Sequence, residues 1–179
     1  MNHETFNVEI GASVSLRPAT EADEDFLFEL FASTRMDEFK FLLRDEAQVE
    51  ALVRMQFNLQ RQQYDAGYPE ADHRIILRDG QPIGRLFVDE SEVEFTLVDV
   101  ALLAEHRNSG LGTYLIQQLL RRAAGKGKRV RLHVLKSNPA RRLYERLGFS
   151  SVAEDGMYFE MLWEYKADKF EHPRMLRKE

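Results

Sequence analysis

The sequence predicts an α/β (α+β) domain, one sheet flanked by helices, and three observations carry that prediction. A chain of 179 residues with 44% hydrophobic and 31% charged side chains suits one well-buried core and falls short of two. Apolar residues recur at helical spacing as far as Ala66, and from Arg74 they alternate as in strands. Beyond Val93 strands and helices then follow one another in turn.

Val14-Ser15-Leu16-Arg17-Pro18 alternates apolar and polar residues and ends on proline, as a short first strand does. Thr20 stands three residues before Asp23 in a capping-box pattern, and Glu21, Asp23 and Glu24 place negative charge where a helix dipole favours it. Phe26, Leu27, Leu30 and Phe31 make the inward stripe of that helix. A second helix is expected from about Asp45 to Ala66, with Val49, Leu52, Val53, Phe57 and Leu59 on its apolar face and Gly67-Tyr68-Pro69 as its stop.

Arg74–Arg78 and Ile83–Val88 read as strands joined across Asp79-Gly80, a strong hairpin signal. Val93–Leu103 is apolar on both faces apart from Glu94, Thr96 and Asp99, which suits a central strand covered on two sides. A helix begins near Gly110, carries Leu115, Ile116, Leu119, Leu120 and Ala123 on one face, and ends at Gly125-Lys126-Gly127. Val130–Leu135 is a strand; Asn138-Pro139 opens another helix that Gly148 closes. Val152 and Met157–Tyr165 form a closing hairpin. The order is β-α-α-β-β-β-α-β-α-β-β, in one expected domain over 1–165, followed by a charged tail over 166–179.

Composition excludes several chemistries. The chain has no cysteine, so disulfides, thiolate metal sites and a cysteine nucleophile are absent. No apolar run approaches the roughly 20 residues that span a bilayer, and the first fifteen residues carry no secretory pattern. A cytoplasmic protein without membrane, nucleic-acid or metal partners is the expectation. The net charge of −5 is unevenly spread: residues 105–148 hold eleven Lys or Arg against two acids, a local +9, while residues 1–104 hold nine against twenty-one, a local −12. Such a basic third suits a polyanion bound at one place, or simply two solvated arginine-rich helices.

Arg107-Asn108-Ser109-Gly110-Leu111-Gly112-Thr113 lies where the central strand gives way to a helix. Two glycines let the backbone turn sharply with its amides unobstructed, and the first amides of the new helix form an anion site. A diphosphate suits such a concavity. A P-loop would need Lys after Gly112, and a dinucleotide fingerprint would need glycine near Leu115.

These residues resemble motif A of the GNAT (GCN5-related) acetyltransferases, Gln/Arg-x-x-Gly-x-Gly/Ala. Asn138-Pro139-Ala140-Arg141-Arg142-Leu143-Tyr144-Glu145-Arg146-Leu147-Gly148-Phe149 is similar to the same family's motif B. The resemblance implies a mixed, mostly antiparallel sheet of about six or seven strands with about four helices, splayed open to admit acetyl-CoA. It further implies transfer of an acetyl group by direct attack of an amine on the thioester, with no metal. Backbone groups of Ala101, Leu102 and Leu103 would hold the pantetheine arm as an added strand, and an amide near Leu102 would hold the oxyanion. Arg107, Asn108, Ser109, Gly110, Leu111, Gly112 and Thr113 would take the diphosphate, while Asn138 and Arg141 would also touch the cofactor.

Tyr144 matches the family's general acid. A phenol of pKa about 10 is protonated at neutral pH and can supply a departing thiolate. Where some members of the family carry a catalytic glutamate this chain has Thr96, so Asp99 is the expected base, although alternation puts it on the opposite face from Thr96 unless a bulge intervenes. The missing glutamate leaves a second reading open, an acyl-CoA-binding sensor without transfer. The acidic and aromatic residues Asp37, Glu38, Phe39, Phe41, Tyr64, Tyr68, Asp72 and Tyr158 point to a cationic acceptor amine. The tail and an exposed sheet edge could support a homodimer.

Overall fold

A computed structural model describes residues 14–40 and 45–165, the side chains of 36–40 excepted. The first strand, β1 (Val14–Pro18), leads through a single 3-10 turn (Glu21–Asp23) into α1 (Glu24–Lys40). Thr20 donates its N–H to Asp23 Oδ2 at 2.8 Å, and Arg17 Nη1 donates to the same oxygen at 2.7 Å, so strand and helix are riveted where they meet. The Arg17 hydrogen bonds, more than the Thr20 ones, hold the Asp23 carboxyl well below the usual carboxylate range. Next comes α2 (Glu46–Gly67), whose N-cap Asp45 accepts from the Ala47 N–H at 3.0 Å.

The sheet follows: β2 (Asp72–Arg78), β3 (Gln81–Glu90), β4 (Glu94–Leu102), then helix α3 (Leu111–Gly125) and β5 (Arg129–Leu135). A short helix α4 (Arg141–Arg146) precedes the closing hairpin β6 (Ser150–Asp155) and β7 (Tyr158–Trp163). Asp79 and Gly80 both take positive φ (51° and 79°), the tight turn that matches strand twist. The strand order is β1-β2-β3-β4-β5-β7-β6, antiparallel except for β4 beside β5. That one parallel pairing runs only from Glu94↔Arg129 to Leu97↔Leu132, beyond which the two strands no longer pair and the sheet opens.

Two hydrophobic clusters divide the interior. The larger joins α3 (Leu115, Leu119, Ala123) to β3–β5 (Val88, Phe95, Leu97, Val130, Leu132) and takes in Tyr144 and Phe149. The smaller is the seam between α1 and α2, built from Phe31, Ala32, Val49, Val53 and Phe57. Leu59, expected on the inner face of α2, is half exposed instead, because α2 buries only its stripe toward α1.

Two further expectations change. The helix expected to open at Asn138 begins at Arg141; Asn138 Oδ1 caps the preceding turn by accepting from the Ala140 N–H at 2.9 Å. The basic residues at the end of α3 and in β5 are engaged away from the glycine turn. Arg122, Lys126 and Lys128 all bond Glu90, and Arg129 and Arg131 bond Glu94, at the far end of α3. A helix of this length separates them from Gly110 by about 20 Å, more than twice the screening length at physiological salt.

Candidate active site

The central strand β4 carries a bulge. Phe87 pairs with Asp99 and Val88 with Leu97, so Val98 has no opposite number on β3. The extra residue turns Asp99 onto the face of Thr96, the condition set by its sequence. Asp99 is not a lone carboxylate there. Its Oδ2 accepts from Arg85 Nε at 2.6 Å and also meets Arg85 Nη2, while Nη2 donates to Gln60 Oε1 at 3.0 Å. Arg85 is 7% exposed, so the ion pair sits under the cleft and links β3 and β4 to α2. Sequence alone hid this partner, since Arg85 and Asp99 meet only through the β3–β4 register.

Past the bulge β4 borders the opening beside β5. The Ala101 carbonyl is directed at β3, where it lies 2.3 Å from the place a Cβ on Gly84 would occupy. A trans peptide therefore turns the Leu102 N–H to the opening. The next peptide is pinned from both sides. Its carbonyl, of Leu102, accepts from Arg107 Nε at 2.8 Å, and its N–H, of Leu103, donates to Ile83 O at 2.9 Å. Of the three residues expected to lend backbone groups to a ligand, Leu102 offers its amide, while the Ala101 carbonyl and the Leu103 N–H serve the sheet. Arg107, expected at the diphosphate, has its guanidinium on the Leu102 carbonyl, with Nη2 reaching Ser33 Oγ at 3.5 Å.

The glycine turn has the geometry of an anion site. Gly110 holds φ 82° and Asn108 φ 57°, both left-handed, and Ser109 Oγ ties back to the His106 carbonyl at 2.8 Å. Tyr114 N–H makes the first bond within α3, to Gly110 O at 3.0 Å, and no side chain caps the helix. The amides of Leu111, Gly112 and Thr113 precede that bond and point out of the helix start. A Cβ on Gly110 or Gly112 would meet nothing within 4 Å.

Tyr144 lies on α4, 8% exposed, in the larger hydrophobic cluster. Burial, with the Asp99 charge adding to it, pushes the Tyr144 phenol well above its ordinary value, so it keeps its proton throughout the neutral range. The phenol thus lies near enough to Asp99 to feel its charge. Gly148 (φ 95°) ends α4, with the Phe149 N–H donating to the Tyr144 carbonyl at 3.0 Å. Arg141 instead bonds Glu145 at 2.8 Å and lies over the Phe159 ring, 4.6 Å from its centroid.

A cleft of about 350 Å³ opens on the Asp99 face. Its walls are α1 (Phe31, Arg35), α2 (Gln56, Gln60, Gln63, Tyr64) with Tyr68 just past its end, and the bulge (Thr96–Val98), with His133 and Tyr158 also lining it. Phe87 supports Tyr64, Tyr68 and His73, with ring centroids 5.4, 6.2 and 4.9 Å away. Burial, then the nearby Arg85 cation, lowers the His73 pKa to about 4. Among the described residues, no side chain lining the cleft is a carboxylate. Asp72 is paired with Arg74 at 2.5 Å; the side chains of Asp37, Glu38 and Phe39, all of Phe41, and the tail over 166–179 lie outside the described residues.

An opened parallel pair, an uncapped helix start and a buried tyrosine are the features that the resemblance to GNAT acetyltransferases leads one to expect. The chain belongs to the acetyltransferase (GNAT) family, which matches residues 28–149. Its fold is similar to that of the PaiA N-acetyltransferase of Thermoplasma acidophilum in complex with coenzyme A, at 19% identity and TM-score 0.65, covering 86% of this chain and 99% of that one. An acetyltransferase from Thermus thermophilus is similar at 25% identity and TM-score 0.59, over 86% and 97% of the two chains. The structure of yncA from Salmonella typhimurium with its cofactor acetyl-CoA matches at 17% identity and TM-score 0.52, over 86% and 95%. A curated relative, the mouse (Mus musculus) cysteine-rich protein 2-binding protein, is 28% identical over 104 residues. That match takes in 58% of this chain and only 13% of the relative's length. No helix among the described residues is long and apolar enough to cross a membrane, and no described cluster of His, Asp or Glu suits a metal.

Proposed function

We propose that this chain is an acetyl-CoA-dependent N-acetyltransferase in which the acceptor amine attacks the thioester directly. The amine nitrogen bonds to the carbonyl carbon, and negative charge moves onto the carbonyl oxygen. The Leu102 N–H receives that charge, an effect typically worth about 3–4 kcal/mol. The C–S bond then breaks and sulfur leaves with the electron pair. Tyr144 donates its hydrogen bond to the sulfur as charge gathers there and passes it a proton. The ammonium proton returns to the phenol through water, so one proton moves in total from nitrogen to sulfur. Asp99 directs that water; because Oδ2 is held by Arg85, the proton would pass by Oδ1. The amides of Leu111, Gly112 and Thr113 hold the diphosphate, and Asn138 borders the pantetheine.

What supports this reading is the short β4–β5 pairing, which leaves the Leu102 amide open, together with a buried phenol on α4 that keeps its proton. The test is release of free CoA over a panel of amines by wild type and Tyr144→Phe. Wild type should turn over, and the variant should lose roughly 10²–10⁴-fold in kcat with little change in KM for acetyl-CoA. Tight acetyl-CoA binding without turnover on any amine would mark a sensor instead.

A further inference from the structure

We propose that the acceptor is a small amine that also bears a carboxylate, and that Arg35 recognises it. The proposal rests on the transferase reading and names the substrate class of the same cleft. Arg35 lines the cleft, its guanidinium 5.2 Å from the centroid of the Phe31 ring, a placement that holds the long side chain by cation–π contact. No carboxylate among the described residues is paired with it or lines the cleft. A positive wall with no described acid favours an anion on the ligand, and a planar guanidinium suits the two oxygens of a carboxylate.

The glutamines fit the same ligand. Gln60 has its oxygen committed to Arg85 Nη2 at 3.0 Å, so its amide N–H groups remain to donate. Gln56 lines the same wall, with its Oε1 buried in the protein. The carboxylate answers Arg35 and the Gln60 N–H groups, and the amine is what the transfer reaction requires. The cleft of about 350 Å³ is at the small end of ligand pockets, which suits an amino-acid-sized molecule. Among the described lining residues one arginine stands with neutral amides and a single histidine, which matches a monoanion better than a dianionic phosphate.

The experiment compares matched pairs, each an amino acid and the amine left when its carboxylate is removed, by free CoA release. In wild type kcat/KM should favour the carboxylated member by roughly tenfold or more, the worth of one charge-assisted bond. In Arg35→Ala that ratio should fall toward one, and Arg35→Lys should restore part of it. A wild-type ratio at or below one, or a ratio unchanged in Arg35→Ala, overturns the proposal. Arg35→Gln replaces Arg35→Ala if the latter loses its thermal shift with acetyl-CoA. A second readout separates this idea from the reaction: the thermal shift of CoA-saturated protein with each member of a pair. Stabilisation by the carboxylated member alone, lost in Arg35→Ala, upholds the site even if nothing turns over. Equal shifts from both members, or none from millimolar amino acid, overturn it.

Discussion

Phe149 is joined to Tyr144 twice. Its N–H donates to the Tyr144 carbonyl at 3.0 Å, and its ring meets the Tyr144 ring edge-on with centroids 5.8 Å apart. The backbone bond is the six-to-one link that follows a left-handed glycine, here Gly148, and the ring contact is the apolar partner of that motif. The Gly-Phe pair that ends the sequence motif is therefore a clamp on the tyrosine four residues earlier.

Phe149→Ala should accordingly cost about 3–4 kcal/mol of stability by emptying the place of a buried ring. In the surviving folded fraction kcat should fall several-fold more than KM for acetyl-CoA rises, since the loosened group is the proposed proton donor. Urea unfolding and steady-state kinetics check both; a rise confined to KM would mean that Phe149 only fills space.

The two glycines of the turn should part company. Gly110→Ala places a side chain at φ 82° and should destabilise by about 1–2 kcal/mol while weakening acetyl-CoA binding. Gly112→Ala meets no atom within 4 Å, sits in the first turn of α3, and should leave thermal stability level or slightly higher. Calorimetric titration with acetyl-CoA beside thermal unfolding separates the two effects.

His73 should shape the acid limb of stability. Its folded pKa of about 4 lies below the ordinary 6.5, so the unfolded chain takes up its proton first. Stability should therefore fall as pH drops from about 6.5 toward 4, by an amount on the order of 2–3 kcal/mol from this residue. Nε2 of His73 is buried without a described partner, and its ring lies against Phe87. His73→Phe should flatten that slope at little cost at pH 8; an unchanged slope would show that other groups set it.

The element order, the glycine turn and the place of Tyr144 on α4 were legible because each is written in neighbouring residues. Gly110 with Gly112, Asp79 with Gly80, and Asn138 through Phe149 are local signals. What escaped depends on register. The bulge at Val98 could only be named as a condition, and Arg85, fourteen positions before Asp99, gives no sign of its partner until β3 lies against β4. Five cations of the basic stretch likewise meet Glu90 and Glu94, more than thirty residues earlier, so their partners show only once the sheet is assembled. Arg107 fits the phosphate pattern by type, yet its Nε is committed to a carbonyl.

The unmatched Val98 lets one ribbon serve two masters. Before it, odd-numbered positions such as Leu97 feed the oily interior under α3; after it, an odd number lands among the tyrosines. Ironing the bulge flat, with Val98 pressed into a regular pair opposite Phe87, would swap the loyalties of every side chain from Asp99 onward, driving a carboxylate into grease and stranding Arg85 without its counter-charge. Losing Val98 altogether would cost far less, since Leu97 and Asp99 would then alternate as neighbours and keep the faces they have now.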